Sequence, residues 1–272
     1  MTMKINIDKS TFEKIVSSAT SSEIYVFESV EDQLELSEQK ILSTVLGSQA
    51  DIDALPIKED IYRFVCLDAF YNAMPALDLV LTDTGFGVVN NQNVSPASKD
   101  RVESLRKQIR LEADNALDRI INGLIGNAEW SSSAYARLLV SSLYYTADQL
   151  RDFAGKPSAS RADLIGLRPL ISEAEELIYR DISAVFFSHL LEQIRHNSLT
   201  EDEILVVWSL RRAIGYYINK QLPAFRREME NIVNLLEEKS IKFPVYRESE
   251  AYKVKHFEYY KNEEDDTCYF WG

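Results

Sequence analysis

Leu77–Arg101, LDLVLTDTGFGVVNNQNVSPASKDR, decides how the chain is read, because it breaks a run of helical sequence with an apolar alternation, a glycine turn and a helix start. Leu77, Leu79 and Leu81 fall on one side of an extended strand, and Val80 makes the other side apolar too. Asp83-Thr84-Gly85 supplies a turn in which Gly85 is free to take a positive φ, and Phe86-Gly87-Val88-Val89 returns as a second short strand. Ser95 and Pro96 then fit an N-cap and a first helical position. The spacing predicts a β-hairpin over about 77–90, set between helices.

On the amino-terminal side, Asp8 caps a helix carrying Phe12, Ile15 and Val16. A second helix is predicted over Val30–Leu46, ending at Gly47, and a third over Lys58–Met74, stopped by Pro75. The third carries Asp68 on the same stripe as Ile61, Phe64, Val65 and Ala69. On the carboxy-terminal side a long helix is predicted over Ala97–Leu124, then another over Ser133–Phe153. Gly155–Ser160 (GKPSAS) has linker composition. Two further helices are predicted, Arg168–Arg195 and Thr200–Lys239, the second opened by a capping box and kinked or split at Pro223. The last thirty or so residues, rich in Tyr and charge, read as extended chain. The fold class is mainly α, one or two helical bundles with an inserted β-hairpin and an extended, Tyr-rich C-terminal segment. Two helical domains, 1–154 and 161–272, and one integrated domain both remain open.

Composition agrees with long regular elements: 272 residues contain only nine glycines and seven prolines. The formal net charge of −13 opposes non-specific binding to phosphate backbones, so nucleic acid is not an expected partner. No window approaches a membrane span and the first ten residues lack a signal-peptide core, so the expectation is a cytoplasmic chain with no membrane partner. Cys66 sits in an apolar helical run and reads as a small buried hydrophobe; Cys268 lies near the terminus.

No catalytic set emerges. Asp83-Thr84-Gly85 after an apolar strand has the outline of an aspartic-protease turn, but that chemistry needs two carboxylates sharing a proton, and the chain has one copy in a helical setting. Gly85-Phe86-Gly87 lacks both the Lys-Ser/Thr of a P-loop and the third glycine of a dinucleotide fingerprint. His189 and His196 stand two helical turns apart, about 10 Å by helix rise, too far for one metal. Glu173, Glu175, Glu176 and Asp181 crowd one helix, yet no Glu is followed three residues later by His as in di-metal bundles. No catalytic residue, cofactor or metal is therefore expected. The candidate partner contacts are Phe86 and Val88 of the hairpin, shaped by the turn residues Asp83, Gly85 and Gly87, and the aromatic terminus Tyr269-Phe270-Trp271.

The run LVLTDTGFGVV, with Asn93, Pro96-Ala97-Ser98-Lys99 and Arg101 after it, resembles a motif of an uncharacterised protein family of gut anaerobic bacteria and their phages and prophages. The likeness is sharpest over Leu77–Leu105. It implies a phage or prophage context, including the virion, where helical proteins with an inserted hairpin serve as ring-forming head–tail connectors; it carries no reaction. The functional expectation is a structural or assembly protein acting through protein partners and self-association. The alternatives are a small-molecule binder or enzyme with a pocket between the two helical parts, and an acidic regulator of a basic partner.

Overall fold

The computed structural model describes residues 5–19, 24–48, 50–77, 80–82, 85–87 and 98–257. The fold is mainly α. In the first part, α1 (Lys9–Ile15) is capped by Asp8, which accepts from the Thr11 N–H at 2.8 Å. α2 (Ile24–Ile41) starts earlier than the apolar spacing predicts and ends in a π turn, Leu42–Leu46. Gly47, at φ +92°, stops it and donates its N–H to the Leu42 carbonyl at 2.8 Å. α3 (Lys58–Leu77) buries residues on all sides, from Ile61 and Phe64 to Ala73 and Met74, because α2 and α4 (Lys99–Leu124) pack on it. Pro75 does not stop α3. It sits in the last turn, where the only hydrogen bond it removes is the one to the Tyr71 carbonyl, and the helix runs on to Leu77.

The hairpin expected over 77–90 is not supported. Leu77 belongs to α3, and among the described residues the ladder is three positions long: β1 (Val80–Thr82) against β2 (Gly85–Gly87), with Leu81 opposite Phe86. Asp83, Val88 and Val89 lie outside the described residues, as do Ser95 and Pro96, predicted to open the next helix; α4 is instead entered from Ser98.

The predicted helix Ser133–Phe153 is three pieces. After α5 (Ala128–Ser131), α6 (Ala134–Leu139) ends, residues 140–146 run non-helically through the interior, and α7 (Ala147–Phe153) begins at a Thr146/Gln149 capping box. Val140, Leu143, Tyr144 and Thr146 are fully buried. A buried irregular stretch needs a partner for each backbone polar group, and the second part of the chain supplies several. Glu175 Oε1 accepts from Leu143 N–H at 2.9 Å and from Ser142 Oγ at 2.8 Å. Arg211 Nε donates to the Leu143 carbonyl (3.2 Å), Arg195 NH1 to that of Val140 (3.2 Å), and Arg168 NH1 to that of Tyr144 (3.4 Å).

The second part comprises α8 (Arg161–Ile182), α9 (Ala184–Arg195), α10 (Glu201–Ile218) and α11 (Leu222–Glu238). The helix predicted over 168–195 begins at Arg161 and breaks at Ser183, which at φ +81° closes α8 and caps α9 through the Val185 N–H. The stretch 200–239 is split as expected, with the turn at Lys220, φ +59°, and Pro223 in the first turn of α11. α10 packs between α8 and α11, and a Cβ on Gly215 would overlap the Phe153 carbonyl at the end of α7. Instead of extended chain, a 3₁₀ turn (Ser240–Lys242), α12 (Pro244–Arg247) and α13 (Glu250–Lys255) follow. Phe243 and Tyr246 hold them down, their rings 5.9 and 5.7 Å from Phe186. Residues 258–272, with Tyr269, Phe270, Trp271 and Cys268, lie outside the described residues. No helix among the described residues is long and apolar enough to cross a membrane.

Burial pushes the Glu175 carboxyl above its ordinary 4.5, against the Leu143 N–H, the Ser142 hydroxyl and Arg168, which pull it down. Above 4.5 the folded chain therefore keeps a proton that the unfolded chain has released, and this group's contribution to stability falls as pH rises through its folded value. Glu175→Gln keeps an acceptor for both donors, so its stability relative to wild type should rise with pH over that window. Glu175→Ala orphans the Leu143 N–H and should cost about 1–3 kcal/mol. Urea denaturation of the three proteins at several pH values measures both effects.

Candidate functional site

α3 and α4 meet across a polar seam that the apolar stripe of α3 conceals in sequence. Asp68, 1% exposed, points from α3 into the α2–α4 cleft. Its Oδ1 takes Lys40 Nζ at 2.6 Å and Arg110 NH1 at 3.4 Å; its Oδ2 takes Ser37 Oγ at 3.0 Å and Asn72 Nδ2 at 3.3 Å. Burying a carboxylate is tolerable only with such pairing. One turn along α4, Asp114 Oδ1 lies 3.1 Å from Arg110 NH2, an ion contact whose angle makes no hydrogen bond. Burial pushes the Asp114 carboxyl up, while Arg110 and Arg161 pull the other way.

Arg106, four residues before Arg110, stacks its guanidinium 4.7 Å from the Tyr71 ring centroid, and Arg110 lies 5.6 Å from the same centroid. These residues, with Glu103, Lys107, Leu111 and Asp114, line a cavity of about 340 Å³ that Ser160, the N-cap of α8, and Ala162 also border. The cavity thus lies between the first helical part and the start of the second. Just below it, Arg161 NH1 reaches Asp118 Oδ1 at 2.5 Å, while Asp118 Oδ2 accepts from the Ala147 N–H at 2.9 Å.

Three other features compete with it. A wider groove of about 670 Å³ follows the π turn, lined by Leu46, Gly47, Asp51, Trp130 and Tyr135. Much of its polar lining is committed: Trp130 Nε1 donates to the Val45 carbonyl at 2.8 Å, Asn127 caps α5, and Ser133 caps α6. His189 Nε2 sits 2.8 Å from Glu203 Oε1 beside a cavity of about 260 Å³. Burial pushes Glu203 up, but the Thr200 N–H, His189 and the Thr200 hydroxyl together hold it below its ordinary value. His256 pairs with Glu237 at 2.5 Å, with Tyr246 on the same carboxylate. No group of three His, Cys, Asp or Glu able to hold a metal occurs among the described residues. Cys66 is buried, its thiol pushed up to about 12 by desolvation.

Of the residues singled out in the sequence, Gly85, Phe86 and Gly87 form β2. Asp83, Val88, Tyr269, Phe270 and Trp271 lie outside the described residues. The pattern missed Tyr71, Arg106 and Arg110. The available signal was a carboxylate on an otherwise apolar stripe, Asp68, which demands cations from whatever packs on α3.

Residues 25–138 match the model of DUF6712, a family of unknown function. The match takes in Tyr71, Arg106 and Arg110 but not Ser160 and Ala162. No curated protein and no solved structure matches the chain.

Asp68→Ala should leave Lys40 without its carboxylate and Arg110 with Asp114 alone. Because both cations are nearly half exposed, the expected loss is about 2–4 kcal/mol, below that of a fully buried pair. Asp68→Asn, which keeps an acceptor for Ser37, should lose less than half as much; guanidinium melts of the two variants give the comparison.

Proposed function

We propose that the chain is a structural or assembly component acting through protein–protein contacts, self-association among them. Its specific form in this reading is a head–tail connector or adaptor of a phage or prophage. The observation that carries it is an apolar patch on α10: Leu205 and Trp208, one turn apart, are each 51% exposed. The Phe153 ring stands 6.5 Å from that of Trp208, and Arg211 lies over Phe153 at 5.6 Å. A half-exposed Trp backed by a second aromatic ring and edged by Arg has the composition of interface hot spots. The phage context rests on the TGFGVV…PASK-R resemblance alone. In this reading Phe86 and Val88 contact a neighbouring subunit and Tyr269–Trp271 anchor the terminus to it.

Light scattering over a wide concentration range should give a discrete oligomer, or a monomer that assembles as concentration rises. Trp208→Glu should lower that mass without changing the circular dichroism, since the side chain is half in water already. Deleting residues 267–272 should weaken assembly further. A strict monomer at every concentration would remove self-association from the proposal.

A further inference from the structure

The cavity between α3, α4 and the start of α8 is lined by three cations, Arg106, Lys107 and Arg110, and two carboxylates, Glu103 and Asp114. Arg110 is matched by Asp68 and Asp114. Arg106 is not: its Nε is buried without a hydrogen-bond partner, and among the described residues no carboxylate pairs with it or with Lys107. A buried guanidinium N–H without an acceptor is unusual in a native fold and calls for an explanation, which an anionic ligand would supply. Here the anomaly stands in a chain of net charge −13, where acidic groups to satisfy it are plentiful elsewhere. Tyr71 holds both guanidinium groups over its ring, and only that of Arg110 has carboxylate partners. Opposite them stands the first turn of a 22-residue helix, whose early N–H groups have no intrahelical acceptors. A capping box closes that turn, Asp163 accepting from the Ser160 N–H at 2.7 Å and Ser160 Oγ from the Asp163 N–H at 3.3 Å, and Ser160 and Ala162 line the cavity.

We infer that this cavity is a binding site for a small phosphate monoester. Arg106 supplies the planar fork that matches a phosphoryl group, Lys107 adds a second positive charge, and Leu111 with Tyr71 forms an apolar wall for the organic substituent. About 340 Å³ suits a phosphoryl group with a small substituent and falls at the lower end of ligand-site volumes. The chain's net charge of −13 disfavours a polyanion, so a free monoester fits better than a nucleic-acid backbone. The inference stands apart from self-association, because the cavity belongs to one subunit and does not involve the α10 patch.

Calorimetric titration of the full chain with phenyl phosphate and with inorganic phosphate, at ionic strength fixed by potassium chloride, tests it. Saturable one-to-one binding is expected, tighter for phenyl phosphate, at least tenfold weaker in Arg106→Gln and several-fold weaker in Lys107→Gln. It should be unchanged in Arg212→Gln, whose own partner is Glu228 on α11. Circular dichroism reports whether Arg106→Gln folds; if it does not, the exposed Lys107 decides the matter alone. Absence of saturable heat, equal affinity in the folded Arg106 and Lys107 variants, or tighter binding of a thymidine oligonucleotide than of phenyl phosphate would overturn it.

Discussion

The stretch 140–146 is where the rest of the molecule is tied together. It is irregular chain in the interior, which is rare because every peptide group there needs a partner. Its partners come from four later helices: Glu175 and Arg168 on α8, Arg195 on α9, Arg211 on α10, and Gln149 at the start of α7. The Tyr144 hydroxyl returns one bond to the Arg211 carbonyl at 2.8 Å. Removing any one side chain strands a donor or acceptor that water reaches poorly. α6 and α7 are thereby fixed against α8–α10, and this fixation brings Ser160 opposite Arg106.

The same side chains manage a difficult charge balance. Asp68, Asp118 and Glu175 are all buried in a chain that carries 43 acidic residues against 30 basic ones. Each is served differently: Asp68 by two half-exposed cations, Asp118 by Arg161 and a backbone N–H, Glu175 by a backbone N–H and a hydroxyl. Burial pushes Asp118 and Glu175 up because their hydrogen bonds only partly replace water. Arg106 stands apart from these ion pairs because its Nε is buried with no acceptor.

Local signals in the sequence carry well where the decision is local. Gly47 ends its helix, Thr200-x-x-Glu203 caps α10, and the apolar stripe of α4 from Ile109 to Ile121 is buried as spaced. They fail where distant side chains decide. Nothing in residues 133–153 forbids one continuous helix; it breaks because Glu175 and Arg211 offer its backbone better partners. Ser183 and Lys220 take positive φ without being glycine or asparagine, so neither break carries the residue that usually announces one. Pro75 misleads in the opposite direction, lying inside a helix end, whereas Pro223 stands at a helix start beside the predicted split. The cavity is harder still, since Tyr71, Arg106 and Ser160 come from three elements and share no local pattern.

The reach of the family match sharpens that last point. Residues 25–138 hold α2 through most of α6, the three-helix seam around Asp68, and both guanidinium groups on Tyr71. They do not hold Ser160 and Ala162, which border the cavity, or Arg161, which anchors α8 to Asp118 of α4. Nor do they hold Glu175, on which the course of residues 140–146 depends. Most of the cavity lining thus belongs to the matched segment, while Ser160 and Ala162 of the second part border it. An anion partly covered by that part sits nearer the low-dielectric interior, where charge–charge attraction is stronger than at an open face. The part of the chain outside the match therefore sets how strongly the cavity can hold an anion, even though the cations themselves lie within it.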